Sequence, residues 1–227
     1  DDIIHVAAGT YTENINFNSK TIAVIGEDPE TTIIDGGNNG RVVEIRSVND
    51  STILKNFTLQ NGKAEFDGSD NESADGAGLF IRDCSPIIEN CIIKNNEATS
   101  WGGGIYTNSA PRLKNLTIID NSAGTGAGLV LNSSNSVITN CIVSNNNGLG
   151  IWIMNNASST IVNSIITGNA DGQILFREVD PPSTLTVSYS NIEDGQDSIK
   201  TNNNGTVTWG SGNIDVNPMF VDTANGN

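Results

Sequence analysis

Carboxylate side chains are concentrated in one short segment, at residues 63–76, which lengthens one repeat of the chain by about nine residues. Besides Glu65, the segment contains four candidate ligands for a metal ion, namely Asp67, Asp70, Glu72 and Asp75. Calcium takes about six to eight oxygen ligands in flexible geometry, and a glycine-containing acidic loop suits it. We therefore predict calcium as a cofactor that is bound by these four residues. The alternative is a solvated acidic loop, because the spacing is not that of an EF-hand.

A column of apolar residues is the second candidate site. Two residues after the second glycine of successive repeats come Phe80, Tyr106, Val130 and Trp152, with Leu175 next. Strand alternation places them opposite the core-facing residues, spaced by a coil rise of about 4.8 Å. Phe80, Tyr106 and Trp152, with Trp101 beside them, are thus predicted to form an exposed ligand-binding face. Three uses stay open for it: a platform for sugar rings, contact with a partner protein, or cover by a loop.

Histidine-based catalysis is excluded by composition, because His5 is the single histidine of the chain. No spacing of cysteine and histidine suggests zinc. Of the three cysteines, Cys91 and Cys141 occupy the same position of two repeats, which indicates small buried residues. A disulfide between Cys84 and Cys91 is the alternative.

The net charge narrows the range of partners. The chain carries 11 Lys plus Arg against 26 Asp plus Glu, a formal charge of −15. It has no basic stripe to neutralise phosphates, so we predict no nucleic-acid partner. The same deficit argues against a strongly polyanionic polysaccharide. No apolar run approaches the roughly 18 residues of a membrane helix, so no membrane insertion is predicted in this segment.

A repeat of about 24 or 25 residues organises the middle of the chain. One half-unit begins at Gly76, Gly102, Gly126 and Gly148, and the other at Asn90, Asn115, Asn140 and Asn163. Apolar residues alternate within each half-unit, which indicates short strands, and no helical period is present. Strands that repeat without helices must coil directly. We therefore predict an all-β, right-handed parallel β-helix solenoid of about nine coils in a single domain over residues 1–227.

Asparagines at one repeat position are predicted to form a structural ladder. Asparagine tolerates left-handed backbone, and its amide can bond to the amide of the next coil. The predicted ladder comprises Asn56, Asn90, Asn115, Asn140 and Asn163. The paired glycines are predicted to supply positive φ at the opposite corner.

Both ends of the chain carry a family resemblance. The opening segments at residues 2–15, 21–27 and 31–37 resemble the first coils of right-handed β-helix proteins of the pectin lyase-like superfamily. Residues 217–222 resemble the closing segment of bacterial surface β-helix proteins of the choice-of-anchor Q type. Members usually carry a capping helix before the first coil and further sequence after the last, so we expect a fragment of a longer protein.

The resemblance implies several activities, and the residues needed for them are not found together. A lyase needs aspartates with an Arg or Lys base across a groove, but Arg82 and Lys94 lie on opposite sides of one coil. An esterase needs paired aspartates, and Asp83 and Asp120 do not recur in a suitable register. We predict no catalytic residues.

The leading prediction is a non-catalytic module, extracellular or on the cell surface, for glycan or surface binding or for structural display. Its predicted partner is a polysaccharide or surface glycan. One alternative is a carbohydrate-active enzyme, either a polysaccharide lyase or an esterase. Another is a filament subunit that self-associates end to end through open strand edges.

Overall fold

The computed structural model describes residues 2–68, 72–179 and 181–221. Within them the chain forms a right-handed parallel β-helix, as the repeat predicts. The second sheet has eight strands, one from each complete coil, and the strand Gly205–Trp209 begins a ninth coil. The helical segment of the described residues is a short 3₁₀ turn at Gly195–Ser198. No helix in this part of the chain is long and apolar enough to cross a membrane.

The first sheet carries two strips of parallel strands. The first strip contains Asp2–Val6, Ile22–Gly26, Ile53–Lys55, Ile87–Lys94, Arg112–Ile119, Val137–Thr139, Ser158–Val162, Ser183–Ser188 and Gly205–Trp209. The second strip contains Gly9–Thr12, Thr32–Asp35, Thr58–Gln60, Ile142–Ser144, Ile165–Thr167 and Asn191–Ile192. The two eight-residue strands, Ile87–Lys94 and Arg112–Ile119, bend at an asparagine and belong to both strips.

The second sheet forms another wall of the solenoid. Its strands are Ile15–Asn16, Val43–Arg46, Leu79–Arg82, Ile105–Thr107, Leu129–Asn132, Ile151–Met154, Ile174–Phe176 and Ile199–Lys200. A small third sheet joins Lys63–Ala64, Glu97–Trp101 and Ser122–Thr125. This third sheet leads each middle coil into the glycine corner that precedes the second sheet.

The predicted inward faces form one continuous apolar core. Its members include all the strand residues that alternation assigned to it: Leu79, Ile81, Ile105, Leu129, Leu131, Ile151, Ile153, Ile93, Ile118, Val143 and Ile166. All three cysteines are free and buried, so the alternative disulfide between Cys84 and Cys91 is wrong. Desolvation raises the pKa of the Cys91 and Cys141 thiols to about 12, which leaves them as inert packing groups.

The predicted ladder asparagines do lie at left-handed corners. Their φ values are 64° at Asn56, 52° at Asn90, 54° at Asn115, 54° at Asn140 and 50° at Asn163. Their side chains join only in pairs, Asn90 to Asn56 at 2.8 Å and Asn140 to Asn115 at 3.2 Å. The last three residues of the set are exposed. The left-handed corner is confirmed, but these asparagines form a broken surface ladder.

A continuous buried ladder lies six residues later in each repeat. The side-chain amide of Asn96 donates to Asn121 at 3.0 Å, Asn121 donates to Asn146 at 3.1 Å, and Asn146 donates to Asn169 at 2.9 Å. All four residues are at most 5% exposed. The amides of the buried column also donate to backbone carbonyl oxygens, as Asn121 does to Ile93 at 3.0 Å. An asparagine ladder is therefore confirmed, and its buried column consists of different asparagines from those predicted.

Candidate functional site

The outer face of the second sheet carries one row of side chains in strict register. From the first coil to the last the row is Asn16, Glu44, Phe80, Tyr106, Val130, Trp152, Leu175 and Lys200. The row changes from polar to aromatic between Glu44 and Phe80. It ends again in a charged residue.

The aromatic part of this row is covered, so the predicted exposed platform is wrong. Phe80 is 0% exposed, Tyr106 2% and Trp152 8%, and they form an apolar cluster separate from the solenoid core. The Phe80 and Tyr106 rings stack at 5.1 Å, and Trp101 lies edge-on to Trp152 at 5.5 Å. The rings point outward as alternation requires, but in this conformation a sugar cannot reach Phe80 or Tyr106.

Arginines from neighbouring loops and strands complete the cover. The guanidinium carbons of Arg41 and Arg46 lie 4.1 and 4.4 Å from the centre of the Phe80 ring. Arg177 lies 5.8 Å from the Trp152 ring and 5.9 Å from Trp101. Cation–π attraction therefore holds charged groups over rings that would otherwise meet water.

The acidic insertion is attached to these arginines. The Glu72 carboxylate pairs with Arg46 at 3.4 Å and also with Arg82, while Arg41 donates to the Glu72 carbonyl oxygen. Arg41 Nε also donates to the carbonyl oxygen of Asp75 at 2.7 Å. The insertion is thus fastened across the outer face next to Phe80.

The predicted calcium ligands are not gathered around one point in the described residues. Glu72 faces arginines, the Asp67 N–H donates to Ser73 Oγ at 3.2 Å, and Asp70 lies outside the described residues. The described part of the chain contains no group of three or more carboxylate, cysteine or histidine side chains placed to hold a metal ion. Calcium binding stays a prediction.

Asp75 is the buried carboxylate of the site. It is 2% exposed, and its Oδ1 accepts a hydrogen bond from the Trp101 N–H at 3.1 Å. Burial raises the pKa of Asp75 to about 6, although a Ser100 hydrogen bond and the nearby Arg41 oppose the rise. Burial likewise raises the pKa of Tyr106 to about 12.

An open pocket of about 450 Å³ lies beside the polar end of the outer row. Four asparagines contribute to its lining: Asn14, Asn16, Asn38 and Asn39. Its charged lining residues are Arg41, Lys63, Glu44, Glu65 and Asp67. The pocket therefore combines amide donors and acceptors with charges of both signs.

Several of the pocket's charges compensate each other. Glu44 accepts from Asn16 at 3.2 Å and pairs with Arg41 at 2.9 Å and Arg46 at 2.7 Å. Lys63 pairs with Glu65 at 2.8 Å. These contacts fix the side chains and leave a polar surface without a strong local charge.

Sequence reasoning missed the pocket and its arginines. The pocket could have been suspected from the segment at residues 36–40, Gly-Gly-Asn-Asn-Gly, because consecutive Asn and Gly residues indicate an exposed loop. Of the two aspartates that the sequence offered for an esterase, Asp83 pairs with Arg82 at 3.2 Å and Asp120 lies near Lys94.

Comparison with known proteins defines the family. The family model of the right-handed beta helix region matches residues 33–217, so the chain belongs to this family. A pectin methylesterase from carrot has a similar structure, with a TM-score of 0.62 and 14% sequence identity over 98% of this chain and 75% of that chain. At this identity the likeness shows the fold alone.

A pectin methylesterase from Yersinia enterocolitica gives a TM-score of 0.34 and 14% identity, over 94% of this chain and 76% of that chain. No curated protein matches the chain.

Proposed function

We propose that this chain is a non-catalytic carbohydrate-binding module that works outside the cell and holds a neutral glycan in the pocket beside the outer row. The observation that carries the proposal is the pocket of about 450 Å³ lined by four asparagines at the polar end of that row. Acidic, Asn-rich composition supports the extracellular setting.

Carboxamides suit sugar hydroxyl groups because each amide offers two donors and an acceptor. Asn38 and Asn39 are exposed in the turn at residues 36–40, while Asn14 is tied to the Arg41 carbonyl oxygen at 2.6 Å. The site thus pairs accessible amides with others that are already oriented. Such pre-organisation lowers the entropy cost of binding.

Charge supports a neutral ligand. The protein carries a net charge of −15, and several pocket charges are paired within the protein. A polyanionic chain would meet long-range repulsion, whereas a neutral one would not. The carrot structure nevertheless makes pectin a necessary member of any ligand panel.

The second candidate function is a carbohydrate-active enzyme, an esterase or a lyase. It is favoured by Asp75, whose pKa of about 6 would suit proton transfer and which lies close to Arg41. Burial of Asp75 and its hydrogen bond with Trp101 weigh against it, because a general base must reach the substrate.

Affinity electrophoresis against a polysaccharide panel tests the proposal. The panel contains neutral glucans, galactans and mannans, polygalacturonate, and methyl-esterified pectin. We expect a neutral polysaccharide to retard the protein without release of methanol or unsaturated products. Migration unchanged on every gel would contradict carbohydrate binding, and product formation would establish the enzyme instead.

A further inference from the structure

Four Asn-Gly sequences lie in the described residues: Asn39-Gly40, Asn61-Gly62, Asn147-Gly148 and Asn204-Gly205. Asparagine followed by glycine is chemically labile, because glycine has no side chain to hinder attack by its own backbone nitrogen on the asparagine carboxamide. In the folded structure these four sequences differ in the hydrogen bonds and the exposure of their reacting groups.

Three of the four are restrained. The Asn61 amide donates to Asp35 at 2.7 Å, and the Gly62 N–H donates to the buried Asn96 side chain at 2.8 Å. Both the nucleophile and the electrophile of this pair are therefore held.

The other two restrained pairs are each held at one reacting group. The Gly148 N–H donates to the Asn146 carbonyl oxygen at 2.9 Å, and Gly148 is buried. The Asn204 amide donates to the Arg177 carbonyl oxygen at 2.7 Å. Attack would require breaking these bonds first.

Asn39-Gly40 is different because both residues are exposed. Within the described residues, neither the Asn39 carboxamide nor the Gly40 N–H has a hydrogen-bond partner. Gly40 has a φ of 99°, and its carbonyl oxygen is held by the Lys63 N–H at 2.8 Å. Gly40 and Lys63 thus form an isolated antiparallel bridge, while the Asn39 carboxamide stays accessible.

We propose that Asn39 is a site of spontaneous deamidation. The deprotonated Gly40 nitrogen forms a bond to Asn39 Cγ, and the Cγ–Nδ2 bond breaks to release ammonia. Water then adds to either carbonyl of the resulting succinimide and opens it to aspartate or isoaspartate. No oxidant or reductant is consumed. The product adds a negative charge to the rim of the pocket and, as isoaspartate, lengthens the backbone beside Lys63.

Peptide mapping by mass spectrometry tests the proposal, after the folded chain has been incubated in oxygen-18 water at mildly alkaline pH. We expect the Asn39 peptide to gain label at least about tenfold faster than the other three, because their hydrogen bonds must open first. In denaturant the four peptides should react at similar rates.

Equal labelling of Asn39 and Asn61 in the folded chain would overturn the proposal. The variant Asn39→Gln provides the control, since glutamine forms the corresponding ring slowly and that peptide should stay unlabelled. The inference goes beyond the proposed function, and its readout does not depend on any glycan.

Discussion

The carboxylate of Asp75 accepts a hydrogen bond from the backbone N–H of Trp101 at 3.1 Å, which ties the end of the acidic insertion to the covered ring cluster. Asp75 is 2% exposed, and its neighbours include Arg41, Glu72 and Tyr106. A charged group in this position makes the stability of the outer face depend on pH.

The substitution Asp75→Asn should raise stability at neutral pH. The native pKa of about 6 lies above the ordinary 3.8, so the native state binds the proton more tightly than the unfolded state does. The contribution of Asp75 to the free energy of unfolding therefore falls as pH rises from about 4 to about 6. The variant should remove this decline and gain up to about 3 kcal/mol at pH 7.

Urea denaturation of both proteins from mildly acidic to neutral pH measures this effect. The difference in the free energy of unfolding between variant and wild type should grow as pH rises through the native pKa of Asp75 and then level off. Two parallel pH profiles would show that Asp75 does not titrate as argued.

The substitution Glu72→Gln should loosen the cover over the rings. Glu72 loses its charge opposite Arg46 and Arg82, whose side chains are partly exposed, so the stability loss should stay within about 1 kcal/mol. Acrylamide should quench tryptophan fluorescence more strongly, because Trp101 lies at the covered cluster.

Glu89→Gln is the matched control for that variant. Glu89 also pairs with two cations, Lys55 and Lys114, each at 3.2 Å, but it lies on the first sheet away from the rings. If both variants changed quenching equally, the ion pairs of Glu72 would not be what holds the cover.

The two asparagine columns should differ sharply in their effect on stability. Asn121→Ala removes buried bonds to Ile93, Asn96 and Asn146, so it should cost at least about 3 kcal/mol. Asn115→Ala, at an exposed left-handed corner, should cost about 1–2 kcal/mol. Equal losses in chemical denaturation would mean that the buried column has no special role.

Calcium at the acidic insertion can be tested by melting temperature. If the insertion binds the ion, millimolar calcium should raise the melting temperature and chelator should reverse it, because only the native state binds. Asp67→Asn should abolish the shift, whereas Asp50→Asn, at an exposed site elsewhere, should keep it. An unchanged melting temperature in wild type would leave the insertion as an arginine-bound loop without a metal.

The features that follow from the repeat could be predicted from sequence. Alternation located the inward residues, such as Ile105 and Ile151, and the tolerance of asparagine for positive φ located the corner at Asn115. These are local properties that every coil repeats, so each copy reinforces the others. The narrower likeness to choice-of-anchor Q proteins stays a prediction.

The covered rings and the pocket could not be predicted in the same way. Arg41 is 34 residues before Asp75, and Trp101 is 26 residues after it, so the cover depends on contacts between coils. Each repeat also offers several asparagines, and only packing decides that Asn121 is buried while Asn115 is exposed. Periodicity fixes a side chain's direction, but it does not reveal what a loop places above that side chain.

Isothermal titration calorimetry tests the central claim most directly. The ligand is the neutral glycan that retards the protein most in the panel, and its affinity is measured for the wild type and two variants. Asn39→Ala with Lys63→Ala removes two side chains from the pocket, while Asn135→Ala removes an exposed loop asparagine that does not line it. The pocket account predicts that the double variant loses at least about tenfold in affinity with an unchanged melting temperature, because two hydrogen bonds are lost, and that Asn135→Ala binds like wild type. Undiminished binding by the double variant would contradict the assignment of glycan binding to this pocket.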